Sequence, residues 1–253
     1  MKIQYASDLH LEFRENAHFL KENPLKVAGE ILVLAGDIGH LGDENYSKHP
    51  FWDWASENYR QVTVVPGNHE FYKGFDLGTL EDGFDLEIRP NVHAYYNKVV
   101  RIDDVDIILS TLWSKIELKN AHFTERCITD FHRIVYKGER FTYSDFNQEH
   151  QHCAAFIKDA VEKSDARVKV VVTHHVPSFE LNSKDFDGSA LNGAFTVELG
   201  TYIAHSGIDY WIYGHSHRNI DKEIGDTKCI SNQLGYTFHN EHLDFRPDAV
   251  IEV

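Results

Sequence analysis

The sequence has no apolar run near the roughly 18 residues that a membrane-crossing helix needs, so a membrane location is not expected. Cysteine is scarce: Cys127, Cys153 and Cys229 are an odd number and widely spaced. A disulfide framework needs dense, paired cysteines, so this spacing predicts a reducing, cytoplasmic setting. No block of Lys and Arg is present, and 25 basic against 40 acidic residues give a formal net charge of -15. Proteins that grip long nucleic acid replace its counterions with a basic stripe. Long nucleic acid is therefore not an expected partner, although a short oligonucleotide substrate is compatible with this charge. No internal repeat and no low-complexity linker interrupts residues 1–253, which predicts a single domain. A strand-like run at Ile3–Ala6 and a polar motif at Asp8 leave little room for a cleaved leader, and none is expected.

Apolar residues make up 42% of the chain, enough for a packed core. Continuous apolar runs rich in β-branched residues predict strands covered on both faces. They are Ile3–Ala6, Ile31–Leu34, Val62–Val65, Val168–Val172 and Tyr210–Tyr213. Val105–Leu109 and Ala249–Val253 read as further strands, and Ile224–Ile230 as a hairpin. The strongest helix pattern runs from Asp145 to Lys163, with Ser144 as its expected N-cap and Ala155, Phe156, Ala160 and Val161 as an apolar stripe. A shorter helix is expected over Phe51–Tyr59.

Each of the five main strand runs leads into a polar motif, the position where α/β sheets build their sites. The motifs are Asp8-Leu9-His10, Gly36-Asp37, Gly67-Asn68-His69-Glu70, Thr173-His174-His175 and Gly214-His215-Ser216-His217. Taken singly, each is weak: Asp8 and His10 read better as a helix cap and a surface histidine, Gly36-Asp37 as a strand-end turn, and 17 histidines make chance pairs common. Together they supply carboxylate, amide and imidazole donors for two divalent metals, a device that cleaves phosphate esters. Alternation along an extended chain would aim Asp8 and His10 at one metal. Asp37 can offer one oxygen to each of two metals, and Asn68 a neutral oxygen. His69 is adjacent but points elsewhere, free to act on substrate. Glu70 is a candidate for orienting another site residue. His174 is expected to be a ligand, while His175 packs or hydrogen-bonds behind it. His215 and His217 can serve one metal each.

The motif order resembles the calcineurin-like metallophosphoesterase superfamily: Asp-x-His, Gly-Asp, Gly-Asn-His-Glu/Asp, His, Gly-His-x-His. All five are intact between Asp8 and His217. The resemblance implies an α/β sandwich of two facing β-sheets flanked by helices. It implies that Asp8, His10 and His217 hold one metal, that Asn68, His174 and His215 hold the other, and that Asp37 bridges. His69 would be the general acid or the phosphate-stabilising group. The cofactors would be two divalent or mixed-valence ions, with manganese, iron and zinc suited to these donors. Two divalent cations against two aspartates and one bridging hydroxide leave about +1, a charge suited to phosphate and to the transition state.

Thr111–Gln148 is a separate feature, rich in aromatics and carrying six basic residues against five acids. It reads either as an excursion forming one wall of the site or as a surface subdomain with its own small core. Asp130-Phe131-His132-Arg133 within it resembles a substrate-facing insert, with Arg133 as a candidate substrate contact. The expected function is hydrolysis of a small phosphate ester, as a phosphodiesterase or a phosphatase. A nuclease of the same superfamily would show a basic groove. A non-catalytic scaffold would be expected to lose ligands or His69. A metallo-β-lactamase site requires His-x-His-x-Asp-His, yet His217 is followed by Arg218-Asn219-Ile220. The cysteine spacing excludes a zinc finger.

Overall fold

A computed structural model describes all residues, 1–253. Its first half contains β1 (Lys2–Ala6), α1 (Arg14–Glu22), β2 (Ile31–Leu34), α2 (Pro50–Asn58), β3 (Gln61–Val64), β4 (Phe84–Arg89), β5 (Val92–Tyr96), β6 (Lys98–Ile102) and β7 (Val105–Ser110). The aromatic-rich segment follows with α3 (Leu118–Cys127), α4 (Asp130–Arg133) and the short strands β8 (Val135–Tyr136) and β9 (Glu139–Arg140). The last part is α5 (Tyr143–Lys163), β10 (Val168–Thr173), α6 (Gly200–Ile203), β11 (Tyr210–Tyr213), β12 (Lys222–Ile224), β13 (Thr227–Ser231) and β14 (Val250–Glu252).

The strands form two six-stranded sheets, ordered β14-β1-β2-β3-β5-β4 and β12-β13-β11-β10-β7-β6. Both are parallel at the centre and closed by antiparallel edge strands. Period-two alternation decides what each face buries. Ile3, Tyr5, Ile31 and Val33 of one sheet meet Ile107, Leu109, Val170 and Val172 of the other in one core. The opposite faces pack on helices: Leu32, Leu34, Val62 and Val64 against Leu20, Trp52 and Ala55, and Val171, Trp211 and Tyr213 against Ile157, Ala160 and Val161. Both faces of each central strand are covered, which explains the uninterrupted apolar runs. The result is an α/β sandwich of two mixed sheets flanked by helices, the architecture that the resemblance implied. No helix is long and apolar enough to cross a membrane.

The long helix α5 starts before its expected N-cap. Thr142, not Ser144, caps it: the Thr142 hydroxyl accepts from the Asp145 N–H at 3.3 Å and the Asp145 carboxylate accepts from the Thr142 N–H at 3.0 Å. This reciprocal box satisfies two donors at once, which a cap at Ser144 would not. The sequence reading missed α1 and β4–β6. Phe84-Asp85-Leu86-Glu87-Ile88-Arg89 alternates with period two, a signal of a half-exposed edge strand rather than a buried one.

Thr111–Gln148 contributes to a fourth core, in which Trp113, Phe131, Phe141 and Phe146 pack with Phe71 and Tyr96 of the sandwich. Its Cys127–Asp130 corner lines the cleft described next.

Candidate metal centre

The polar motifs sit beyond the C-terminal ends of β1, β2, β3, β10 and β11, on one edge of the sandwich. The turns that carry them are not extended. Asp8, His10, Asp37, His215 and His217 have positive φ, at 55°, 48°, 56°, 74° and 49°. A left-handed backbone on a non-glycine residue costs on the order of 1–3 kcal/mol and concentrates at functional sites. Asp8 and His10 therefore converge through a left-handed turn after β1 ends at Ala6, not through the strand alternation expected from the sequence. Two glycines permit the close approach. A Cβ on Gly67 would lie 2.2 Å from Asp37 Oδ1, and one on Gly214 2.7 Å from Asp8 Oδ2.

Four groups of donor atoms result, Asp8/His10/His217, Asp37/His174/His215, His10/Asp37/His69 and Glu12/His40/His69, each with its donor atoms within 4.8 Å of one another, and the first two are made of the expected ligands. In the first, His217 Nε2 lies 3.3 Å from Asp8 Oδ1 and 3.1 Å from His10 Nε2. In the second, His174 Nε2 lies 3.4 Å from Asp37 Oδ1, 3.0 Å from Asn68 Oδ1 and 3.1 Å from His215 Nδ1. Asp37 reaches both groups, since its other oxygen Oδ2 is 3.8 Å from His10 Nε2. The donors are oxygen and imidazole nitrogen, buried, convergent and able to hold divalent metal ions.

The far nitrogen of each ring is engaged, which fixes its orientation. His217 Nδ1 meets Glu241 at 2.7 Å, His174 Nδ1 the Ala35 carbonyl at 2.9 Å, His10 Nδ1 Glu12 at 3.0 Å, and His215 Nε2 the Ala194 carbonyl at 3.3 Å. Burial opposes charge on His217, but Asp8 and Glu241 outweigh it and hold its pKa at about 10. Burial likewise opposes charge on His174, where Asp37 dominates and holds it at about 9. Burial and the neighbouring His174 push His215 down to about 3. Asp37 stays well below the usual carboxylate range, because His174 and His69 outweigh its burial.

Of the remaining expected site residues, His69 lines the cleft, with Nδ1 on Glu12 at 2.8 Å and Nε2 3.3 Å from the Tyr236 hydroxyl. Glu70 is fully buried and accepts from the backbone N–H groups of Asp37, Ile38, Gly39 and Gly67, so it holds the loops that carry Asp37 and Asn68. His175 is buried with neither ring nitrogen hydrogen-bonded, and packs on the rings of Trp113 and His215. Arg133 lies exposed at the end of α4 and is not among the residues lining the cleft. Arg218 lines it instead. Sequence reasoning missed Glu12, Tyr236 and Glu241, and placed Asp130 only within a substrate-facing stretch. Only Glu12 carried a signal, as it extends Asp8-x-His10 at the same spacing.

The cleft above these groups has a volume of about 300 Å³. The insert's Cys127–Asp130 corner forms one side, and Phe186, Phe195 and Tyr236 supply ring faces.

A two-sheet sandwich that gathers two such donor groups at its strand ends defines a metallophosphoesterase. The chain belongs to the calcineurin-like phosphoesterase family, whose sequence profile matches residues 1–219. It is accordingly a metal-dependent phosphoester hydrolase. It is 28% identical to the uncharacterized protein L509 of Acanthamoeba polyphaga mimivirus, over 99% of this chain and 96% of that one. Its fold is similar to phosphopantetheinyl hydrolase of Mycobacterium tuberculosis, with a TM-score of 0.69 and 16% identity over 100% of this chain and 95% of that one. It is also similar to TT1561 of Thermus thermophilus, with a TM-score of 0.50 and 10% identity over 92% and 88% of the two chains.

Proposed function

We propose that this protein is a binuclear-metal phosphodiesterase acting on a small phosphate diester. Asp8, His10 and His217 hold one metal, Asn68, His174 and His215 the other, and Asp37 spans both. Bound there, a metal pair lowers the pKa of water to give a nucleophile near neutral pH and stabilises charge at phosphorus. His69 has its pKa raised, since Asp37 and Glu12 outweigh its burial. With Nδ1 held by Glu12, its Nε2 faces the cleft and passes a proton to the departing ester oxygen.

The charge of the cleft favours a diester. Arg218 is its one Lys or Arg, and that guanidinium already lies 3.3 Å from Asp185 and 3.9 Å from Glu241. No unpaired Lys or Arg is left to neutralise the second charge of a monoester. The aromatic faces suit an organic substituent. The same lack of basic groups weighs against a nuclease reading. Three free cysteines support a reducing, cytoplasmic setting.

The test is hydrolysis of bis-p-nitrophenyl phosphate beside p-nitrophenyl phosphate with manganese added, and a phosphopantetheinyl ester as a further probe. Diester turnover well above monoester turnover is expected. A monoester preference would make the protein a phosphatase, and no turnover of any probe with metal bound would favour a binding scaffold.

A further inference from the structure

Glu12 lies outside the five motifs, yet it joins two of them. Its Oε1 accepts from Nδ1 of His10 at 3.0 Å and from Nδ1 of His69 at 2.8 Å. Beyond both rings lies a second shared atom. Asp37 Oδ2 is 3.8 Å from His10 Nε2 and 3.9 Å from His69 Nε2. The ring centroids are 4.5 Å apart and meet edge to face. Two imidazoles are thus strung side by side between one glutamate oxygen and one aspartate oxygen. The Glu12 side chain is only 8% exposed, and its other oxygen is buried without a partner.

We propose that Glu12 is a positioning residue that sets His10 and His69 by the same oxygen, each with Nδ1–H toward Glu12 and Nε2 toward the reaction. The proposal rests on the reading of His10 as a metal ligand and His69 as the acid. Those tasks need opposite things of Nε2: a lone pair on His10 and a proton on His69. A ring fixed through Nδ1–H can provide either, provided it cannot flip or change tautomer. One carboxylate oxygen does this for both rings. A neutral amide is a weaker acceptor than a carboxylate, and Glu12→Gln would also turn an N–H₂ toward a pocket where the native oxygen finds no donor. Both rings should loosen together. Glu70, which follows His69 directly, does not take this part, because both its oxygens serve the backbone of the Asp37 and Asn68 loops.

The experiment compares Glu12→Gln with Glu12→Ala in the full chain, with folding checked by circular dichroism. In the metal-free protein, ¹⁵N spectra should show Nδ1 of both His10 and His69 protonated in the native chain, with Nε2 of His10 bare, and Nδ1 of both rings only partly protonated in the variants. Titration with manganese should show affinity at one site down roughly 10–100-fold in Glu12→Gln, with the number of ions bound unchanged. Turnover should fall far more for a diester with an alkyl leaving group, which needs a proton, than for p-nitrophenolate, which does not. Unchanged tautomers with equal losses on both leaving groups would reduce Glu12 to a structural role and overturn the proposal. Loss of a whole ion, shared with His40→Ala, would also overturn it, because Glu12, His40 and His69 are themselves close enough to hold a cation. His69→Ala separates this from failure of the underlying reading. If His69→Ala shows no leaving-group dependence, the acid assignment fails, while the tautomer result still judges Glu12.

Discussion

Asn68 and Asp130 meet side chain to side chain across 62 positions of sequence: the Asn68 amide N–H donates to Asp130 Oδ1 at 2.9 Å. That bond turns the amide oxygen toward His174 Nε2, 3.0 Å away. The Tyr72 hydroxyl donates to the same carboxylate oxygen. The insert is therefore tied to the donor cluster through the orientation of Asn68 as well as through the wall it forms. Asp130→Ala should weaken metal binding on the Asn68 side by roughly 10–100-fold, while Asp130→Asn, which keeps an acceptor, should lose less. Calorimetric titration with manganese checks this, and equal affinity in all three proteins would mean that the backbone alone orients Asn68.

Asp37 offers one oxygen to each donor group and a negative charge to both. Asp37→Asn should abolish hydrolysis and leave at most one metal bound, with the fold intact by circular dichroism. Full activity in this variant would remove the bridging assignment.

His69 faces the cleft, and its donor atoms group with His10 and Asp37 rather than with His174, His215 or His217. His69→Ala should keep both metals and lose about 10²–10⁴-fold in turnover on substrates that need a proton. Metal analysis beside kinetics separates the outcomes, since a missing metal would make His69 a ligand.

Glu70 ties down four backbone N–H groups at 2.7–3.3 Å. Glu70→Gln turns an N–H₂ toward two of them. Each stranded buried N–H costs about 1–3 kcal/mol. The melting temperature should drop by at least about 4 °C for a chain of this size. An unchanged melt of the metal-free protein would show that these loops do not depend on the carboxylate.

His174 and His217 have folded pKa values raised to about 9 and about 10. In the metal-free protein the stability they add is complete below about 6.5, the unfolded histidine value, and is lost as pH rises through 9–10. Metal must displace both protons, so apparent affinity should climb from neutral pH toward 9–10, with proton release near pH 7.5. Calorimetry in buffers of different ionisation enthalpy measures that release, and none would show both rings already neutral.

The sequence by itself determined the strand runs, because central strands covered on both faces must be apolar throughout, and it determined the donor chemistry at their ends. Gly67 and Gly214 stand in the motifs, but the close approaches to Asp37 and Asp8 that require them are tertiary contacts. The edge strand Phe84–Arg89 and the capping box at Thr142 were written in the sequence too, in short patterns of period two and of Thr followed by Asp three residues on. Tertiary structure alone decided the partnerships. His217 joins Asp8 and His10, Glu12 joins His10 to His69, Tyr236 covers His69, and Arg218 replaces the expected Arg133 in the cleft. The contact between His10 and His217 alone spans 207 positions of sequence. These partnerships depend on how two sheets register and on left-handed turns at Asp8, His10, Asp37, His215 and His217. Such turns are held by the packing around them, against the local preference of each residue, so no local pattern announces them.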